Sequence, residues 1–143
     1  MKRFVAIGLL LTLGWGAAMA DGDPIKDRRD LMKANGEATK SMVGMLKGAP
    51  FDLDVVKAAL KNYANAAAKA PALFPDDSKT GDTNALPAIW DNKADFTARF
   101  AKFADDVTAA STAITDQASF QATMPGVLKN CGGCHEKYRA KQS

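Results

Sequence analysis

Apolar residues recur along most of this chain at alternating steps of three and four, the spacing of one face of an α-helix. Four segments carry the pattern, and none alternates apolar and polar residues convincingly in the way of a strand. Their short connections, with one longer crossover, predict an all-α fold, an antiparallel four-helix bundle. The helices are expected from Pro24 to about Lys47, from about Asp52 to Pro71, from just after Asp91, and from about Asp116.

Turn and capping residues refine these boundaries. Residues 71–87 are rich in Asp, Ser, Gly and Pro, which predicts a long connection, with Leu73 and Phe74 turned inward. Asp91 is placed to cap the third helix with its side chain. Pro125-Gly126 predicts a kink or a late start in the fourth helix.

Aromatic residues of the second half are assigned to the core. Phe96, Phe100 and Phe103 fall on the apolar stripe of the third helix. Trp90 and Tyr138 are also more typical of core positions than of electron relays.

The first twenty residues have the pattern of a secretory signal peptide. A positive start, Met1-Lys2-Arg3, precedes an apolar run from Phe4 to Trp15, and Ala18-Met19-Ala20 offers the small residues of a cleavage site. A membrane anchor is the alternative, but the run is shorter than the roughly 20 residues a span needs. We therefore expect a signal peptide at 1–20, a single domain at 21–143, and export to the periplasm of a Gram-negative bacterium.

Length and charge narrow the classes of function. The chain has 143 residues, enough for one domain with a core. Without Lys2 and Arg3, 17 basic residues face 16 acidic ones. That balance leaves no basic excess to neutralise phosphates, so nucleic acid is not an expected partner. After the leader, no stretch is apolar enough to span a membrane.

Both cysteines and the only histidine fall within five positions, Cys131-Gly132-Gly133-Cys134-His135. Cys-X-X-Cys-His is the attachment signature of c-type haem. Two thiols three residues apart on a helix face the same way and can add to the two vinyl groups of one porphyrin. The next residue, His135, is then placed to bind the iron. We expect one haem c, bound covalently through Cys131 and Cys134.

Other interpretations of the motif are weaker. A structural zinc site needs four ligands, and this chain offers two adjacent thiols and one imidazole. A thioredoxin-like redox pair needs a βαβ context, which the helical pattern does not provide. A fortuitous motif would leave the grouping of these residues unexplained.

Any second iron ligand from this chain must come from upstream, since only eight residues follow His135 and none is Met or His. Met124 lies on the same helix, roughly 16 Å away along its axis. In an antiparallel bundle Met32 is level with His135, whereas Met42 lies roughly 15 Å further along and Met45 further still. Spacing alone leaves Met32 open as a ligand or as an ordinary core residue.

The motif at the extreme carboxyl terminus of a helical chain resembles the class II cytochromes c, the cytochrome c′ superfamily. The likeness covers nearly the whole mature chain. It is carried by residues 131–139, by Arg28 to Gly36, by the turn from Lys47 to Asp52, and by Leu86 to Trp90. The resemblance implies an antiparallel four-helix bundle with one haem c.

Members of that family divide by the residue equivalent to Met32. High-spin, five-coordinate members carry an apolar non-ligand there and bind NO or CO. The low-spin subgroup carries a methionine that ligates iron, and such proteins are taken to be electron carriers. The resemblance therefore implies ligation by Met32 and a non-enzymatic electron carrier that works with redox partner proteins. The alternatives are a gas-binding protein and weak peroxidase activity at an open iron.

Two arginines lie one helical turn from the expected iron ligands. Arg139 follows His135 and matches the family's arginine beside the haem, where it shields a propionate or raises the potential; a solvated cation at a helix end is the alternative. Arg28 precedes Met32 on the same face and is the candidate propionate partner, with a surface arginine as the alternative. Relatives often pair through their first two helices, so monomer and homodimer both stay open.

Overall fold

The computed structural model describes residues 22–141, and the predicted signal peptide at 1–20 lies outside this range. No β-strand forms among these residues beyond one isolated bridge, between Ala85 and Arg139. Four long helices and one short helix make up the fold, which confirms the predicted all-α class. The helices are α1 (Pro24–Leu46), α2 (Leu53–Lys69), α3 (Ala88–Asp91), α4 (Lys93–Ala113) and α5 (Gln117–Tyr138).

Side-chain caps fix the starts of three long helices. The carboxylate of Asp23 accepts hydrogen bonds from two backbone amides in the first turn of α1, and Asp52 does the same for α2. Asp116 and Ser119 form a reciprocal capping box at α5. The predicted starts of the first, second and fourth helices are confirmed.

Two predictions about helix boundaries are wrong. Asp91 is the last residue of α3 and does not cap the next helix; α4 begins after Asn92, which makes no side-chain capping bond. The expected late start of α5 at Pro125-Gly126 is wrong, because Pro125 lies inside a helix that begins at Gln117. The capping box stabilises the start of the helix two turns earlier, and the Pro125 ring is exposed to solvent. The alternative expectation, a kink at this position, stays a prediction.

The four long helices pack as an antiparallel bundle in which α2 contacts both α1 and α4, and α4 contacts α5. One core cluster fills the end of the bundle distant from the Cys-X-X-Cys-His motif. Its largest fully buried members are Tyr63, Phe120, Met42, Met124, Val56 and Val107.

The helices α1 and α5 meet at this end of the bundle, where the Gln121 side-chain amide donates to the Met45 carbonyl at 3.4 Å. Towards the other end few contacts join them, and a cleft lies between α1, α4 and α5. The cleft faces the last two turns of α5.

The connection from α2 to α3 closes the second end of the bundle with two 3₁₀ turns, Ala70–Leu73 and Asp76–Ser78. Phe74 is buried and Leu73 is half-buried, so both turn inward as predicted. Phe74 packs in a second cluster with Phe96, Phe100 and Tyr138. None of the helices between residues 22 and 141 has the length and apolarity to cross a membrane.

Candidate haem-attachment site

The last two turns of α5 present the Cys-X-X-Cys-His motif to the cleft. Cys131, Cys134 and His135 are half-buried, and all three line the same cavity between α1, α4 and α5. Both cysteines are free thiols. The helix thus holds two nucleophilic sulfurs and one imidazole on a single face, as the motif predicts.

The first cavity has a volume of about 640 Å³, within the usual range for a bound organic cofactor. Phe100 and Phe103 of α4 contribute aromatic walls, and Val43 of α1 contributes an aliphatic one. An apolar concavity of this size beside two thiols suits a flat, largely apolar macrocycle. The donor set and the shape therefore fit a haem attached to α5.

A second cavity of about 590 Å³ lies on the side of the connection. The two cavities share five lining residues: Met32, Phe100, Cys134, His135 and Arg139. Met32 on α1 and His135 on α5 are thus brought to one space from different helices.

The other methionines are accounted for by packing. Met42 and Met124 are fully buried and Met45 is 6% exposed, and all three belong to the core cluster distant from the motif. Met32 lines both of these cavities, which are bounded by residues 22–141, together with His135. The other three methionines weighed from the sequence line neither cavity.

Burial shapes the chemistry of the motif. It raises the pKa of the Cys131 and Cys134 thiols, and the Arg99 guanidinium opposes this effect at Cys134. It also lowers the pKa of His135, with a smaller contribution from the positive charge of Arg139. Both effects favour the neutral imidazole, the form with a lone pair free for a metal.

A polar cluster that the sequence analysis missed ties α4 to the motif. The Asp95 carboxylate accepts hydrogen bonds from Arg99 Nε at 2.8 Å, from Lys137 Nζ at 3.1 Å and from the Tyr138 hydroxyl. Arg99 Nη1 donates to the carbonyl of Gly133, between the two cysteines, at 3.1 Å. The i,i+4 spacing of Asp95 and Arg99 was the available signal.

The two arginines predicted near the haem differ in setting. Arg139 ends α5, is exposed, and lines both cavities. Arg28 lines the second cavity but is buried, and its guanidinium donates to the connection. A contact of either residue with a haem propionate stays a prediction.

No cluster of three or more His, Cys, Asp and Glu side chains able to hold a metal ion forms within the described range, 22–141. A four-helix bundle with Cys-X-X-Cys-His facing an apolar cavity at its carboxyl end instead defines a c-type haem protein. The sequence model of the cytochrome c′ family matches residues 23–139. The chain belongs to the cytochrome c′ family, whose members bind haem c covalently, so the predicted cofactor is confirmed.

Relatives with two different names match over nearly their full length. Cytochrome c′ of Rhodopseudomonas palustris is 50% identical over 99% of this chain and 98% of its own. Its solved structure superposes with a TM-score of 0.82, covering 85% of this chain and 99% of the other. Cytochrome c-556 of the same organism is 35% identical over 99% of both chains, and a structural model of its oxidised form gives a TM-score of 0.77, covering 85% and 98%.

Proposed function

We propose that this protein is a periplasmic electron carrier in which His135 and Met32 would both bind the iron of one haem c. The observation that supports this is the meeting of the Met32 and His135 side chains on the same two cavities. Met32 is half-buried there and packs against the second cluster, whereas the other methionines weighed as ligands belong to the first core cluster.

The haem, once attached, supplies a one-electron redox couple. The residues of the chain determine how it is held. Cys131 and Cys134 fix the macrocycle to α5, and Arg99 anchors the Gly133 carbonyl between them. A thioether ligand favours the reduced iron and raises the reduction potential relative to imidazole or water. The aromatic walls at Phe100 and Phe103 exclude water and act in the same direction.

A carrier needs no site for a substrate, and we assign this protein no enzymatic reaction. The leader at 1–20 supports maturation to a domain of residues 21–143 in the periplasm, where a redox protein would be the partner. Whether the protein is a monomer or a homodimer does not alter this proposal.

The second candidate function is binding of NO or CO. It is favoured by the apolar space of the first cavity, which continues along α1 beyond Met32 to Gly36 and Val43. If Met32 were not bound, that space would be available to a small apolar ligand. Whether Met32 binds the iron therefore decides between the two functions.

The test is the Met32→Leu variant beside the control Met42→Leu. Both are swaps of similar volume, for which we expect a loss of stability below about 1.5 kcal/mol. Met32→Leu should change a low-spin absorption spectrum to a high-spin one and admit CO. Met42→Leu should leave the spectrum and the response to CO unchanged, because Met42 lies in the distant core.

An unchanged low-spin spectrum in Met32→Leu would overturn the assignment of Met32. A high-spin spectrum in the wild type would instead favour the gas-binding function.

A further inference from the structure

Arg28 is a buried cation whose hydrogen bonds all lead to the connection between α2 and α3. Only 3% of the residue is exposed. Nη1 donates to the Leu73 carbonyl at 3.1 Å and to Ser78 Oγ at 2.8 Å. Nη2 donates to the Ser78 carbonyl at 3.0 Å and to Thr83 Oγ1 at 2.8 Å. The four terminal N–H groups of the guanidinium are thus committed to three residues of one segment.

The charge of Arg28 is not paired directly with a carboxylate of residues 22–141. None of the ion pairs formed within residues 22–141 includes it. The guanidinium carbon instead lies 4.6 Å from the centre of the Phe74 ring and 5.9 Å from that of Trp90. Neutral acceptors and aromatic faces stabilise a cation without cancelling its charge.

The same segment contacts α1 at two further points. The backbone at Gly81 passes so close to Ile25 that a Cβ there would lie 2.9 Å from Ile25 Cδ1. Asp82 pairs with the exposed side chain of Arg29. The connection therefore lies against the first turns of α1, and with Arg28 it forms a wall of the second cavity.

Met32 follows Arg28 by one turn, about 6 Å along the helix axis, and lines the same cavity. We propose that Arg28 is a positioning residue that fastens the connection to α1, keeps Met32 at the iron, and adds a fixed positive charge beside it. The part that concerns Met32 and the charge rests on the proposed function. Since the terminal N–H groups are already engaged, this role of Arg28 is exerted through the connection and needs no contact with a haem propionate.

The test compares three variants of the haem-loaded protein. Arg28→Met removes both the charge and the hydrogen bonds, and the double variant Ser78→Ala/Thr83→Val removes two acceptors while the charge stays. Lys26→Met is the matched control, because Lys26 is an exposed cation of α1 that pairs with Asp30 on the same helix.

Hydrogen exchange of the backbone amides at residues 78–86 measures the fastening without reference to the iron. We expect exchange there to rise about tenfold or more in Arg28→Met and in the double variant, because each loses hydrogen bonds to a charged donor. Both variants should also bind CO to a greater extent than the wild type. The reduction potential should fall in both variants as the thioether ligand is lost, and further in Arg28→Met, which also loses the positive charge. Lys26→Met should match the wild type in all three measurements.

Unchanged exchange in Arg28→Met, or in the double variant should Arg28→Met not fold, would overturn the fastening role. Equal potentials in Arg28→Met and the double variant would overturn the role of the charge. If the wild type already binds CO fully and exchange is still faster in the variants, ligation by Met32 is refuted and the fastening role stands.

Discussion

Gly81 is the position at which the connection depends most on the absence of a side chain. Its φ of 125° lies in a region that L residues rarely adopt, and a Cβ would lie 2.9 Å from Ile25 Cδ1. The backbone strain in Gly81→Ala is worth about 1–3 kcal/mol. The contact adds less, because the Cδ1 methyl is the end of a flexible side chain that can turn away.

We therefore expect Gly81→Ala to lower the free energy of unfolding by about 1–3 kcal/mol. In a domain of this size, the Tm falls by roughly 4–12 °C. Thermal and denaturant unfolding of the haem-loaded protein, followed by circular dichroism, measure the change.

Gly126→Ala is the matched control. Gly126 lies inside α5, where an added Cβ would meet nothing within 4 Å, so the variant should be more stable by about 0.5–1 kcal/mol. Equal stability of Gly81→Ala and wild type would show that the connection does not hold this backbone against α1 in solution.

Three further substitutions test other parts of the structure. Asp95→Asn should destabilise the protein more at pH 7 than at pH 3. Hydrogen bonds, first that from Arg99, hold the folded-state pKa of Asp95 well below its unfolded value of about 3.9, so the stabilisation is fully present above that value and only partly lost at pH 3. Urea titrations of both proteins at the two pH values measure this, and a pH-independent difference would contradict it. Tyr63→Phe should lower the free energy of unfolding by about 0.5–1.5 kcal/mol, because the hydroxyl of the buried Tyr63 forms a hydrogen bond with Thr39 Oγ1 at 2.9 Å. An unchanged urea midpoint would refute the contribution of that bond. Asp52→Ala should lower the free energy of unfolding by about 0.5–2 kcal/mol as its cap on α2 disappears. Asp54→Ala, two residues further along the chain, should lower it less.

The helical pattern was sufficient to predict the bundle and most helix boundaries. Asp52 and Asp116 are capping residues directly before apolar-periodic segments, and local rules describe them well. The boundary at Asp91 was wrong because Asp91 and Asn92 are both capable caps. Tertiary packing of α3, with Ile89 buried, decides where the short helix ends.

Some residues of the candidate site could likewise be predicted from the sequence, and others could not. Cys131, Cys134 and His135 are adjacent in the chain, so their chemistry could be inferred from spacing. Met32 could be placed because helix rise and antiparallel order fix its level.

The partners of Arg28 could not be predicted, since Ser78 and Thr83 follow it by 50 and 55 residues. They lie in a connection without periodicity. Contacts of this kind depend on the path of the loop, which neither spacing nor propensity determines.

The most direct test of the proposed function is the absorption spectrum of the protein matured in a strain competent for cytochrome c assembly, oxidised, reduced, and reduced with CO. Sharp ferrous bands that CO does not change are expected if Met32 is bound to the iron. Broad high-spin bands that shift with CO would contradict ligation by Met32 and favour gas binding.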